Sequence, residues 1–262
     1  MTDTQEPAPT TRPAARPRGV GGRLLDRFFV SGHVTETEPI AARMTRIRIA
    51  GDELRGLTSL PGQQVRVLTG DPQADSFRGR LGDLRTYSVW HFDAGAGELD
   101  LCVMDHGEGP GARWGRTVKC GRPVRFRAPE GSFTLRGDGA AYHLFVGEET
   151  ASVALGAMLG ALPDTARVFG AIETADPEDR LPLPRAGELS RPLRGTESAA
   201  SSAVLVNTVR ALDLPDEPGI AYVAGEARTV QLVRNHLTRE RGWPRRAVLT
   251  KPFWTPGKTG MD

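Results

Sequence analysis

The chain has 262 residues with 34 basic and 32 acidic side chains, and its 31 Gly and 20 Pro make up roughly a fifth of it, against an average nearer 12%. So many backbone punctuators argue against a helical bundle, and an apolar content of about half excludes a wholly disordered chain. A net charge of +2 is too balanced for a dedicated nucleic-acid binder.

The cations are skewed toward arginine, with Lys119, Lys251 and Lys258 the only lysines. This reads mainly as coding bias, while leaving open that some guanidinium forks bind phosphates. Cys102 and Cys120 make no C-x-x-C pair, and His33, His91, His106, His143 and His236 show no ligand spacing, so neither a structural metal nor a disulfide scaffold is expected. No apolar run approaches the roughly 18 residues that span a membrane. The first 22 residues lack the apolar centre of a secretory signal, and a cytoplasmic location is expected. The length suits one large domain or two ordinary ones.

Residues 1–19, with four Pro and almost no large apolar side chain, read as a flexible tail. From about Phe28 to Arg136 the pattern is one of short β segments. Arg46–Ile49, Gln64–Leu68, Leu99–Val103 and Pro123–Arg127 alternate polar and apolar residues, and Thr86–Phe92 is aromatic and β-branched. Turn clusters at Ser59–Gly62, Gly79–Gly82, Asp93–Gly97 and Pro129–Gly131 separate them, the signature of a small closed antiparallel barrel.

Near Gly137 the pattern changes. Tyr142–Val146 reads as a strand buried on both faces, Thr150–Leu162 as a buried helix and Ala166–Ile172 as a second strand. Ile220–Ala224 follows as a strand, then a helix from about Glu226 to Arg241 closed by Gly242 at its C′ position, and a last strand at Ala247–Leu249. Strands alternating with helices predict a parallel sheet that takes ligands at the carboxyl ends of its strands. The expected organisation is a tail (1–19), an antiparallel β-barrel domain (20–138) and a parallel-sheet α/β domain (139–262).

Four stretches carry candidate chemistry. In Arg85-Thr86-Tyr87-Ser88, strand alternation puts Arg85 and Tyr87 on one side, where an Arg suits a pyrophosphate and a ring suits a flat heterocycle. An ordinary strand with an exposed Arg and a half-buried Tyr explains the same residues. In His106-Gly107-Glu108-Gly109-Pro110-Gly111-Ala112-Arg113-Trp114, glycines admit close approach, and a helix starting near Ala112 would offer amides to an anion. The alternative is a plain Gly-rich hairpin with His106 and Trp114 as packing residues. Gly147-Glu148-Glu149-Thr150-Ala151 occupies the crevice position after a strand without being a G-x-G-x-x-G fingerprint, and Thr150 can equally serve as a helix cap. Ala224-Gly225-Glu226-Ala227-Arg228 follows another strand in the same way, with Arg228 facing either a cofactor phosphate or solvent.

Together these stretches resemble the siderophore-interacting proteins, flavin-dependent ferric-siderophore reductases of the ferredoxin-reductase-like superfamily. The resemblance runs from about Phe28 to Gly260. It rests on the four stretches with the Ala128–Phe133 turn and the tail Phe253-Trp254-Thr255-Pro256-Gly257-Lys258, and their order is more specific than any one of them. It implies an FAD-binding barrel followed by an NAD(P)-binding domain. Arg85 and Tyr87 would hold the FAD pyrophosphate and pack on the flavin side, with Ser88 near the isoalloxazine. His106, Gly109, Pro110, Gly111, Ala112, Arg113 and Trp114 would complete the FAD cradle. Glu149 and Thr150 would stand where the nicotinamide domain meets the flavin, and Gly225, Glu226 and Arg228 in the NAD(P)H site. The chain departs from the family at Trp90, commonly Arg, at Val153, often Pro, and in its tail, where the family commonly has Gly-Tyr-Trp-Arg. These departures bear on the substrate surface more than on the FAD site.

The resemblance implies reduction of ferric siderophores by NADPH or NADH through FAD, with no resident metal, no general base, and neither nucleic acid nor membrane as partner. A monomer is expected. Richness in Arg leans toward NADPH. The alternatives are the same scaffold acting on free flavin, a quinone or a redox partner, and a redox-inactive ligand-binding module.

Overall fold

The computed structural model describes residues 28–70, 84–136 and 139–258. The expected tail, the start of the barrel domain at residue 20, the Gly79–Gly82 turn, the change of pattern at Gly137 and the end of the resemblance at Gly260 lie outside them.

Six antiparallel strands close a barrel in the order β1-β2-β5-β4-β3-β6: β1 (Val30–Ala41), β2 (Met44–Ala50), β3 (Gln64–Leu68), β4 (Leu84–Asp93), β5 (Glu98–Met104) and β6 (Pro123–Glu130). Their inward residues, among them Val34, Ile47, Ile49, Val65, Val67, Leu99, Leu101 and Phe126, form one core without solvent exposure. Helix α1 (Pro110–Thr117) crosses between β5 and β6 and drives Trp114 into that core. It starts two residues before the expected Ala112, because Pro110 suits the first helical turn and Gly109 stands at the N-cap position. Strand β1 has no expected counterpart. Apart from Pro39 its exposed positions are polar or charged, and Val34 is its one fully buried residue, so its sequence shows little alternation.

The second half is a parallel sheet ordered β10-β9-β7-β8, from β7 (His143–Gly147), β8 (Val168–Ile172), β9 (Ile220–Glu226) and β10 (Val248–Trp254). Helix α2 (Ser152–Ala161) packs on one face; α3 (Ala203–Arg210) and α4 (Ala227–Asn235) pack on the other. The helix after β9 runs on to Glu240 as a π turn and stops at Gly242, whose φ of 72° is left-handed. Helix α3 was not legible in advance. Its run of Val204, Val206 and Val209 favours a strand locally, whereas the Ser202 hydroxyl, accepting from the Leu205 amide, starts a helix.

The halves share a core. Met44, Cys102 and Phe133 from the barrel side meet Val153, Leu155, Met158 and Leu159 of α2. A Cβ added at Gly156 would collide with the Trp90 indole and lie 2.9 Å from Leu183. Gly156→Ala is therefore expected to destabilise the protein by about 1–3 kcal/mol, the usual cost of overpacking. Urea denaturation measures it, and an unchanged midpoint would show that Trp90 yields freely.

Candidate functional site

Strand register decides what Arg85 and Tyr87 face. They pair with Val67 and Val65 of β3, so both share the inward side of the barrel wall, as alternation predicts. The Tyr87 ring lies 5.5 Å from the Trp114 ring at 32°, at the mouth of the barrel core. Its hydroxyl is buried without a hydrogen-bond partner, and burial raises its pKa, with the charge of Arg85 opposing. An orphaned buried hydroxyl is a group for which a ligand atom is the natural partner.

The Gly-rich loop closes against this strand. A Cβ at Gly111 would stand 2.9 Å from the Tyr87 hydroxyl and 3.5 Å from Arg85 Cγ, so only glycine lets the start of α1 approach so closely. Gly109, Pro110 and Gly111 thus bring the first turn of α1, with its free amides, beside Arg85 and Tyr87. Ala112 and Trp114 are buried; Trp114 is a core residue as well as the neighbour of Tyr87. His106 and Arg113 are exposed. Arg116, which sequence reasoning did not single out, holds the loop: it donates to the Gly107 carbonyl at 3.0 Å and pairs with Asp105 at 2.5 Å and Glu108 at 3.2 Å. A groove of about 730 Å³ runs along the outer side of α1, where Arg113, Lys119 and Arg122 make it cationic.

Ser88 pairs with Gln64, and Gln64 accepts a hydrogen bond from Lys251 of β10. Ser88 is thereby brought to the seam between the barrel and the carboxyl edge of the sheet.

That edge differs from the expectation for its acids. Glu149 is 2% exposed, and its carboxylate is taken by Arg194 at 2.6 and 2.7 Å, Arg43 at 3.0 Å and the Ala175 amide at 2.9 Å. Burial works to raise its pKa, and the Arg194 hydrogen bonds outweigh that and hold it low. Glu226 turns back to cap α4, accepting from the amides of Arg228 and Thr229 at 2.9 and 2.8 Å and from Ser201 at 3.1 Å. Thr150 is not the cap of α2, whose N-cap position is Ala151; its hydroxyl donates instead to Glu148. Arg228 is exposed. Gly225, at φ 121°, is pressed so close to Glu148 that a Cβ would sit 2.7 Å from Oε1. Glu148 also accepts from the Trp254 indole at 3.0 Å, which no spacing in the sequence announces.

Two family profiles fit the halves: "Siderophore-interacting FAD-binding domain" over residues 33–133 and "Siderophore-interacting protein" over residues 140–257. The chain is also 32% identical over 212 residues to an uncharacterized protein of Mycobacterium tuberculosis, spanning 76% of this chain and 74% of that one. The chain belongs to the siderophore-interacting protein family. A relative with a named activity, ferric vibriobactin reductase ViuB of Vibrio cholerae, is 28% identical over 177 residues, 66% of this chain and 65% of the relative. Among solved structures, a siderophore utilization protein from T. fusca superimposes with a TM-score of 0.76 at 26% identity, covering 89% of this chain and 95% of that one. The orphaned Tyr87 hydroxyl, the Gly111 contact and the adjacent Arg85 suit the FAD that this family's barrel binds. No helix among the described residues is long and apolar enough to cross a membrane.

Burial pushes the Glu148 carboxyl up to about 7, against the hydrogen bonds from Thr150 and Trp254. The native state then holds this proton more tightly than the unfolded chain does. Its contribution to stability is complete below the ordinary value of 4.5 and is lost as pH rises through about 7. Glu148→Gln is expected to flatten that part of the melting temperature against pH, measured by scanning calorimetry. A slope unchanged from wild type would assign the titration to other groups.

Proposed function

We propose that this protein is an NAD(P)H-dependent oxidoreductase that uses FAD to reduce ferric siderophores and release Fe(II). The observation that carries the reading is the convergence of Arg85, Tyr87 and Gly111 at the mouth of a barrel whose family binds FAD. ViuB, a relative named as a ferric vibriobactin reductase, supports the choice of acceptor.

Bound FAD supplies the conversion between a two-electron hydride donor and a one-electron metal acceptor. The protein's part is binding and orientation. Arg85 offers a guanidinium fork to the pyrophosphate, and the amides of Gly111 and Ala112 add the helix-start field. Tyr87 supplies a flat wall and a hydroxyl donor. Ser88 offers a small polar group at the seam, while Arg113 and the groove cations make the outer approach favourable to phosphate. His106, at the loop entrance, closes the cradle.

Across the seam, Thr150, Gly225 and Arg228 stand at the carboxyl ends of β7 and β9, where the nicotinamide nucleotide would enter. Glu149 and Glu226 act there as positioning residues, because their carboxylates serve Arg194, Arg43 and the α4 amides. Siderophores hold Fe(III) through hard oxygen donors; reduction weakens that match, so the metal product leaves without a protein ligand.

Purified protein reconstituted with FAD is expected to bleach anaerobically with NADPH or NADH and to reoxidise with a ferric siderophore. Failure to retain FAD under any condition would overturn the assignment. Arg85→Ala is expected to weaken FAD retention by about tenfold or more, the loss of one charge-assisted hydrogen bond. Equilibrium dialysis against free FAD measures it, and unchanged affinity removes Arg85 from the site.

A further inference from the structure

The carboxyl edge of the sheet closes off its own helix starts. Glu226 fills the amides of α4, Ser202 accepts from the Leu205 amide of α3, and Glu148 accepts from the Thr150 amide just before α2. An anion arriving at this edge therefore meets side chains rather than free helix amides.

At the same edge two arginines form a pair that, among the described residues, has no carboxylate within salt-bridge distance. Beyond β8 the chain makes a turn at Pro177–Asp179 and returns along the same strand, where Ser190 bridges Ala171 and Leu193 bridges Thr174 in parallel. Arg180 leaves this turn, and Arg191 lies on the returning segment, level with the end of β8. They brace each other's backbone: Arg180 Nη2 donates to the Arg191 carbonyl at 2.6 Å, and Arg191 Nη2 donates to the Leu181 carbonyl at 3.3 Å.

Bracing uses one donor from each fork. The Nε of each is buried with no acceptor, and neither guanidinium has a carboxylate within salt-bridge distance among the described residues. Arg191 is held below the usual arginine pKa, first by burial and then by the charge of Arg180. The contrast with Arg46, Arg48, Arg185 and Arg194, which all lie on carboxylates, is plain. The nearby acid Asp179 is already committed to Arg43 at 2.6 Å. A neutral donor would brace these carbonyls equally well. Two like charges fixed side by side, each only half-buried, are what a doubly charged oxyanion requires.

We propose that Arg180 and Arg191 form a binding site for a phosphate dianion. The same chemistry is available from a free phosphate or from the 2′-phosphate of NADPH, and only the second source rests on the reductase reading. The position at the carboxyl edge, where α/β sheets take nucleotides, suits either source.

The test titrates the FAD-loaded wild-type protein with inorganic phosphate at constant ionic strength in chloride, read by thermal shift and by the width of the phosphorus resonance. Saturable binding is expected, weakened at least tenfold in Arg191→Lys, which keeps the charge and loses the fork, and in Arg180→Gln. Absence of saturable binding to the wild type would overturn the site, as would affinity unchanged in both variants. Circular dichroism of each variant separates loss of the site from loss of the fold; where one variant unfolds, the other decides. Displacement of phosphate by NADP+ but not by NAD+ identifies the nucleotide as the source. Phosphate binding without such displacement supports the site with a free phosphate as its occupant, and leaves the bleaching experiment to judge the reductase reading separately.

Discussion

Glu149 is a charge placed where water does not reach it, and the relation between the two halves depends on how that charge is matched. An isolated buried carboxylate is penalised by several kcal/mol, and pairing offsets this only when geometry and hydrogen bonds are both good. Here Arg194 grips both oxygens, and Arg43 reaches in from the turn between β1 and β2. Arg43 in turn holds Asp179 in the turn beyond β8, and the Ala42 amide donates to the Glu178 carbonyl alongside. One carboxylate thus fixes a barrel turn, the exit of β8 and the end of the returning segment relative to each other. The seam that carries Ser88, Gln64 and Lys251 inherits its geometry from that knot and from the shared core around α2.

The cluster at the barrel mouth is first of all a packing arrangement. Tyr87 and Trp114 are core aromatics that reach the rim of their own core. Gly111 is small because the tyrosine hydroxyl occupies the space where a side chain would go. A site built from core residues is held by the same contacts that hold the fold, so its geometry is fixed before any ligand arrives.

Much of this was legible in the chain itself. Alternation marked β2, β3, β5 and β6, the apolar run marked β7, and Gly242 marked the close of the helix after β9. The RTYS strand and the Gly-rich loop were each ambiguous alone, and only their order along the chain, through the family resemblance, joined them. The signal failed where tertiary context overrides local pattern. Strand β1 presents mostly polar residues to solvent and has a single fully buried side chain, and α3 is rich in β-branched residues yet is started by one serine cap. The directions of Glu149 and Glu226 were likewise invisible, since a glutamate that caps a helix and one that faces a ligand share the same letter. Arg43 and Arg194 carried no motif, and their importance lies in contacts across more than forty residues of chain. The arginine skew, which reads as coding bias, includes guanidiniums that neutralise buried acids: Arg46 and Arg48 on Asp100, and Arg194 on Glu149.

The placement of β10 has a consequence for biosynthesis. All six barrel strands are available once Glu130 has emerged, whereas the Trp254 indole reaches Glu148 only after more than a hundred further residues. Domains fold as units during synthesis, amino-terminal first. The order of assembly is therefore built into the topology: the barrel strands come first, and the carboxyl rim of the sheet last, when β10 lies down beside β9 and Lys251 meets Gln64 across the seam. Until then the nascent chain holds the cluster of Arg85, Tyr87 and Gly111 without the opposing wall, so the sequence of translation itself separates the assembly of the barrel mouth from completion of the seam.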